Sequence, residues 1–501
     1  MNMKEKAFKF LSEIEADVCV VGSGAGGAVI AKELAEAGLR VVVLEKGERT
    51  TRYDFTQKEA EVFVRFYEDA GMRSVQDQSI TILHAKSVGG TTVFNDNICF
   101  RAAEFVLSSW ERTGIPEISL ETMIPYYERV EQEISVSRIK EAEVSRNDQV
   151  LHRGAKNLGL DPQRFYHNRK DCIGCGGCYL GCSYLRKNDM SMTYIPKAEK
   201  ASAQVFANTT AEEIERKGNR VSAIVASEYD PKSRKLKGRI RVRAKRFVLA
   251  GGAISTPILL LKNGFGRLNS NIGRHLSLHP MFANLGVMAD PIRFYEGIPQ
   301  CEYVSQLNEA DGTGFVLEGL GAHPILTALV LSSFGKKHCE GMKEYEKFSV
   351  HYVMIKDRPQ GRIQVSRNGD IRIYYKFHPQ DQRSLREGMK LSARVSFAAG
   401  AKKVYMAHVD APVMYDPKQV EELDRLRFEA NRIVLYSAHQ FSTCRMGPDP
   451  KTAVTDAYGQ MHGMENLYIS DTSLFPTSLG YNPQLTMMAL ATRNAAHLLK
   501  I

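Results

Sequence analysis

Asp17–Val21 (DVCVV) is a short run of apolar, largely β-branched residues, the pattern of a buried parallel strand. The turn GSGAGG follows. Next comes AVIAKELAEAG, where Ala28, Ala31 and Ala35 recur on one helical face and Gly38 supplies a C-terminal stop. A second apolar run, RVVVLEKG, predicts another strand and ends in Glu45. Farther on, Phe315–Ser333, Phe348–Ile355, Arg362–Val365 and Ile371–Phe377 read as strands broken by Gly, Asn and Pro. Gln382–Ala399 reads as a helix. A last helix is predicted over QLTMMALATRNAAHLL, with Asn482 as its N-cap and Pro483 at its first position. No apolar run approaches the ~18–20 residues that span a bilayer. There is no internal repeat or low-complexity tract.

The chain has 501 residues, too many for one compact core, so two or three structural units are expected. With 43% apolar and 25% charged residues it is an ordinary globular composition. Lys and Arg number 67 against 57 Asp and Glu. That excess implies either a solvated basic surface or attraction to an acidic partner, such as an electron carrier or a membrane surface. No basic block is interleaved with aromatics, which argues against nucleic-acid binding. The opening MNMKEKAFKFLSEIEADVCVVGSG lacks the apolar core of a signal peptide, and the chain reads as soluble and cytoplasmic. Thiols stay reduced there, so grouped cysteines point to metal or redox chemistry rather than disulfides.

Gly22, Gly24 and Gly27 have the G-x-G-x-x-G spacing between a predicted strand and a helix, and Glu45 lies eighteen residues beyond Gly27. Gly22 permits the tight turn, Gly24 lets a pyrophosphate approach the backbone, and Gly27 lets helix and strand pack closely. The helix N-terminus faces the phosphates and Glu45 accepts from ribose hydroxyls. This is a dinucleotide-binding unit; alone it does not separate NAD from FAD. Cys19, inside the first strand, is a small core residue.

CIGCGGCYLGC places Cys172, Cys175, Cys178 and Cys182 at the C-x2-C-x2-C-x3-C spacing of a ferredoxin iron–sulfur run. In ferredoxins the fourth cysteine ligates another cluster, and no second run exists here. Three readings stay open: a 3Fe–4S or 4Fe–4S cluster, a cluster-free structural or redox loop, and zinc. Cys99, Cys301, Cys339 and Cys444 are isolated and read as structural.

Three further segments carry a family resemblance: VGGTTVFNDNICFR, VLAGGAISTPILLLKNG with NIGRHLSLHP, and SAHQFSTCRMG with NLYISDTSLFPTSLGYNPQLTMMALATRNAAHLL. In this order they resemble the glucose–methanol–choline (GMC) family of FAD oxidoreductases. The resemblance implies an α/β fold with a discontinuous Rossmann-like FAD-binding domain over 14–104, 193–284 and 432–501. A connecting segment, 105–192, carries the cysteine-rich loop at 168–190. An inserted α+β substrate domain, 285–431, is built on an antiparallel sheet that forms a wall over the flavin, with the helix over Gln382–Ala399 on its outer side.

By the same resemblance, Gly89, Gly90, Thr91 and Asn95 contact the cofactor, and Phe94 stands where some members attach flavin through histidine, so FAD is non-covalent. Asp471 bonds the ribityl or pyrophosphate part, or else simply caps a turn. His439 is the base that takes the hydroxyl proton as hydride leaves for flavin N5, and Asn482 is its partner. The helix N-terminus behind Asn482 and Pro483 directs partial positive charge at the flavin. Ser442 replaces a usual glycine. Leu278 replaces the usual aspartate before His279, so His279 is given no catalytic role. Some dehydrogenases of the family carry a cluster in the region of the cysteine run. The implied activity is a dehydrogenase oxidising a CH–OH group of a sugar, polyol or alcohol. Its electrons would pass through the cluster to an external one-electron acceptor protein or a quinone. An oxygen-using oxidase, a flavin-scaffold lyase and a non-catalytic electron-transfer subunit are the alternatives.

Overall fold

The computed structural model describes residues 11–411 and 413–501. Residues 1–10, on which part of the signal-peptide reading rests, lie outside the described residues. No helix among the described residues is long and apolar enough to cross a membrane.

The dinucleotide-binding reading fixes the first sheet. Its elements are β1 (Leu11–Val21), α1 (Gly27–Glu36), β2 (Val41–Leu44), β3 (Gln204–Phe206), β4 (Thr209–Lys217), β5 (Arg220–Tyr229) and β6 (Leu236–Leu249). The strand order is β3-β2-β1-β6-β5-β4, with the short strand Leu467–Ile469 also paired to β6. β6 forks: its first half pairs antiparallel with β5, and its end, Phe247–Leu249, pairs parallel with Leu467–Ile469. Pieces distant in sequence therefore share one sheet, as a discontinuous domain requires. β1 begins six residues earlier than its apolar run, because Leu11–Ala16 pairs in register with Arg239–Ala244 of the long β6. Backbone pairing extends the strand where the side-chain pattern is silent.

The second sheet is antiparallel at its centre. Gln163–Arg164, β7 (Glu302–Leu307), β8 (Gly314–Gly319), β9 (Phe348–Ile355), Met281–Val287, Lys403–Met406 and Val413–Met414 follow one another across it. β9 is buried along its whole length, because both faces are covered. The helix Pro379–Ala398 packs on one face, where Gly388 stands so close that an added Cβ would lie 2.3 Å from Val353 Cγ1. Tyr352, the neighbour of Val353, points the other way, into the large cavity.

Three expectations are corrected. Phe315–Ser333 is not one strand: it is most of β8, then an irregular stretch, then the helix Pro324–Val330. Pro324 has its ring at the first helical turn, where the missing N–H costs nothing. The hairpin Gly361–Val365 with Ile371–Tyr374 does not join the large sheet; it pairs with Arg274–Leu276 in a separate three-stranded sheet. The last helix is Gln484–Leu498, with Pro483 rather than Asn482 at its N-cap.

Candidate active site

A single cavity of about 720 Å³ runs between the two sheets. Apart from Gly27 and Gly89, every residue predicted to bind cofactor or act in catalysis lines it: Gly22, Gly24, Glu45, Gly90, Thr91, Asn95, His439, Asp471, Asn482 and Pro483.

The glycine turn is shaped by its neighbours. Gly22 has φ +99°, and a Cβ there would lie 2.4 Å from the carbonyl oxygen of Ala250 at the end of β6. A Cβ on Gly27 would lie 2.0 Å from Gly22 O, and one on Gly26 would lie 1.8 Å from Ser470 O. Gly24 is different: its nearest neighbour would be Gly90 Cα at 3.9 Å, so its open side faces the cavity. The second glycine loop meets the first there, because Gly90 has φ +61° and its own Cβ would press on Gly24 Cα at 2.6 Å. The N-terminus of α1 adds unpaired backbone N–H groups, a ready site for phosphate oxygens.

Glu45 is held inside this turn. Its Oε2 accepts from Ser23 N (2.9 Å) and Ser23 Oγ (2.8 Å), and its Oε1 accepts from Gly47 N (2.7 Å). Burial raises its pKa, against the pull of those donors. Ser23 Oγ also accepts from Gly89 N at 3.0 Å, so one hydroxyl joins both glycine loops. Ser23 and Gly26 were missed in the sequence, because their constraints come from Gly89 and Ser470, far along the chain. Asp471 shows the capping alternative: it accepts from Ser473 N (2.8 Å), Gly252 N (2.9 Å) and Thr256 Oγ1 (2.6 Å). Asn95 donates to Gln484 Oε1 at 2.7 Å, which ties its loop to the last helix.

At the His439 end of the cavity, burial pushes that histidine down to about 3, so its ring is neutral at ordinary pH. Asn482 is buried, and its Oδ1 has no hydrogen-bond partner among the described residues. It makes no cap bond to the helix that follows. His279, given no role in the sequence reading, stands edge-on to His439, with Nδ1 to Nδ1 at 3.4 Å. That contact is longer than an ordinary hydrogen bond, so it crowds His439 without fixing which nitrogen carries its proton. His279 is itself fixed by Gly480 N, which donates to its Nε2 at 3.0 Å, and by Asp357, which accepts from its backbone N–H at 3.1 Å. Ser442 has φ +72°, the left-handed conformation that suits the glycine usual at that place.

Cys172, Cys175, Cys178 and Cys182 line one small cavity of about 20 Å³, with Arg169, Arg186, Lys187 and Asn97 around it. That space suits one ion or water. No three His, Cys, Asp or Glu side chains among the described residues stand where they would hold a metal ion. The expected four-cysteine ligand set is corrected to this extent: the thiols converge but, as placed, form no metal centre. Asn97 Nδ2 lies 3.5 Å from Cys178 Sγ, and Arg186 N donates to Cys182 Sγ at 3.2 Å. Burial raises the Cys175 and Cys178 thiols. Lys187, fully buried, donates to Val93 O (3.0 Å), Asn95 O (2.5 Å) and Cys178 O (2.9 Å). The backbone of 95–98 is the partition: Asn95, Asp96 and Ile98 line the large cavity and Asn97 the small one.

A dinucleotide cradle opening into a cavity with a half-buried histidine and a buried asparagine defines an oxidoreductase. Family models described as GMC oxidoreductase match residues 63–281 and 357–491, and an NAD(P)-binding Rossmann-like model matches 20–72. The chain belongs to the GMC oxidoreductases. It is 30% identical to long-chain-alcohol oxidase FAO3 of Arabidopsis thaliana, over 95% of this chain and 67% of that one. In structure it is similar to pyridoxine 4-oxidase from Mesorbium loti (TM-score 0.71, 16% identity, 97% of this chain and 99% of that). A formate oxidase of Aspergillus oryzae superposes with TM-score 0.73 at 13% identity, over 97% of this chain and 98% of the other.

Proposed function

We propose that the protein oxidises a CH–OH group with non-covalent FAD, His439 taking the hydroxyl proton and Asn482 orienting the oxygen. The observation that carries this reading is the meeting of both residues with the glycine cradle in one cavity. The cradle fits FAD: Gly24 and Gly90 leave backbone open to a pyrophosphate, Glu45 stands beside it, and Phe94 offers no nucleophile for covalent attachment. FAD, when bound, supplies the two-electron acceptor; the remaining tasks fall to the chain. A histidine kept neutral by burial accepts a proton at the one ring nitrogen that carries none. Asn482, on the wall of the same cavity, orients the substrate hydroxyl and so points its oxygen and C–H in one direction. Asp357 and Gly480 hold His279, and His279 limits where the His439 ring can turn.

The experiment is anaerobic mixing of the FAD-loaded protein with alcohols. His439→Ala is expected to keep FAD and lose flavin bleaching by at least ~100-fold. Bleaching near the wild-type rate overturns the assignment.

For the acceptor, we propose an external carrier that approaches the large cavity from the side of the cysteine loop, which makes the enzyme a cytoplasmic dehydrogenase. Support comes from four converging thiols, the cationic Arg169, Arg186 and Lys187 beside them, and the single layer of backbone between the two cavities. All nine cysteines are free, as suits a reducing compartment. The donor set fits an iron–sulfur group, which would supply one-electron steps; the 20 Å³ space does not, so no step is assigned to it. The similarity to long-chain-alcohol oxidase FAO3 favours the second reading, an oxidase using dioxygen. Iron and acid-labile sulfide in anaerobically purified protein support the first; hydrogen peroxide on turnover without iron supports the second.

A further inference from the structure

Two short helices, Glu59–Phe66 and Pro324–Val330, meet on the wall of the large cavity. Glu59 joins them: its buried carboxylate accepts from Ile325 N (2.6 Å) and Leu326 N (3.0 Å). Phe63 of the first helix and Leu326 of the second line the cavity and pack against one apolar cluster that includes Val62 and Phe66. Their chain neighbours turn outward. Val64 is 69% exposed, and Ile325 and Leu329 are exposed as well. The wall here is one helix thick, with apolar side chains on both its cavity face and its solvent face.

The segments that flank this junction end in exposed rings with cations beside them. After the second helix the chain runs to Phe334, 94% exposed, and then to the exposed Lys336 and Lys337 at the start of the helix Lys336–Met342. Lys336 reaches Glu340 only at 3.9 Å, and Lys337 forms no ion pair among the described residues. Before the first helix, Tyr53 is 80% exposed and the Arg52 guanidinium lies over its ring at 4.9 Å. Arg65 of that helix ties the turn down through Asp54 at 2.7 Å. The chain as a whole carries a net charge of +10. Single exposed apolar residues need no explanation, whereas several on two joined helices and their flanking turns mark an interaction surface.

We infer that this face docks on an anionic lipid bilayer. Phe334, Tyr53 and the outward Leu329, Ile325 and Val64 enter the boundary between headgroups and acyl chains, while Lys336, Lys337 and Arg52 stay with the lipid phosphates. Rings that project singly, each with a basic residue one to three positions away, suit a fluid layer that yields to every tip at once. A rigid protein partner would need a separate pocket for each. Charge decides between lipids: a neutral bilayer answers only the apolar tips, and an anionic one answers the cations too. No helix among the described residues is long and apolar enough to cross a membrane, so the contact is peripheral. Docked this way, the wall formed by Phe63 and Leu326 faces the lipid. The inference holds whatever substrate the cavity takes.

The test is co-sedimentation of the FAD-loaded full chain with sucrose-filled vesicles of phosphatidylcholine, alone or mixed with phosphatidylglycerol. The partition coefficient is expected to be at least about tenfold higher on the mixed vesicles and to fall as salt is raised. Phe334→Ser and Leu329→Ser are each expected to lower it at least about threefold. Lys336→Glu combined with Lys337→Glu is expected to lower it at least about tenfold. All these positions are exposed, so FAD content and Tm are expected to match the wild type in every variant. No sedimentation with the mixed vesicles, equal partition onto neutral ones, or serine variants that bind like the wild type overturns the assignment. A dimer in lipid-free solution that Phe334→Ser returns to monomer gives the face to a second copy and overturns it too.

Discussion

Gly24 differs from the glycines beside it in what a methyl group would meet. At Gly26 the methyl collides with Ser470 O, and at Gly22 it collides with Ala250 O on a left-handed backbone. At Gly24 it makes only ordinary contact with Gly90 Cα. Gly24→Ala is therefore expected to fold with an unchanged Tm and to bind FAD at least about tenfold more weakly, its methyl standing where a pyrophosphate would lie. Gly26→Ala is expected to lose folded yield. Fluorescence titration of FAD with thermal denaturation of both variants separates the outcomes. The spacing of Gly22, Gly24 and Gly27 and the place of Glu45 were legible in the sequence, since each depends on residues within one βαβ unit. Ser23 and Gly26 were not, because Gly89 and Ser470 impose their roles across folds of chain that no local spacing records.

Among the elements, the last helix changes how Asn482 is understood. The pattern Asn-Pro before a helical run predicts a capping asparagine, yet Pro483 occupies the N-cap and the Asn482 side chain makes no cap bond. Asn482→Ala is thus expected to leave the free energy of unfolding in denaturant unchanged, where loss of a true cap costs ~1 kcal/mol, and to slow flavin bleaching at least about tenfold. A loss of ~1 kcal/mol of stability with little change in rate would return Asn482 to a structural part. Strands that are buried on both faces, such as β9, were readable from continuous apolar runs. The helix Pro324–Val330 was not, for a short apolar stretch (ILTALV) serves helix and strand alike and only its Pro324 hints at the difference. The four cysteines showed their convergence in their spacing; the width of the space between them is set by Gly297, Ile298 and Pro299 from another part of the chain.

At the scale of the whole molecule, buried ionisable groups pull stability in two directions. Burial raises Glu318 to about 8 and Asp148 to about 7, and lowers His167, His351 and His439 to about 3. For the raised carboxyls the stabilisation is full below their unfolded values near ~4 and is lost as pH rises through the folded values. For the lowered histidines it is full above ~6.5 and is lost as pH falls toward the folded values. Tm is expected to fall between pH 6 and pH 8.5, and Glu318→Gln to fall less over the same range. Parallel curves for the two proteins would remove Glu318 from that account. β6 has another consequence, one of timing during synthesis. Its partner strand Leu467–Ile469 is made more than two hundred residues after Leu249, about 10–40 s later at ~5–20 residues per second. Until then the nascent chain presents an unpaired strand edge beside a half-built crevice, so a ribosome stalled between those points holds a species prone to edge-to-edge association.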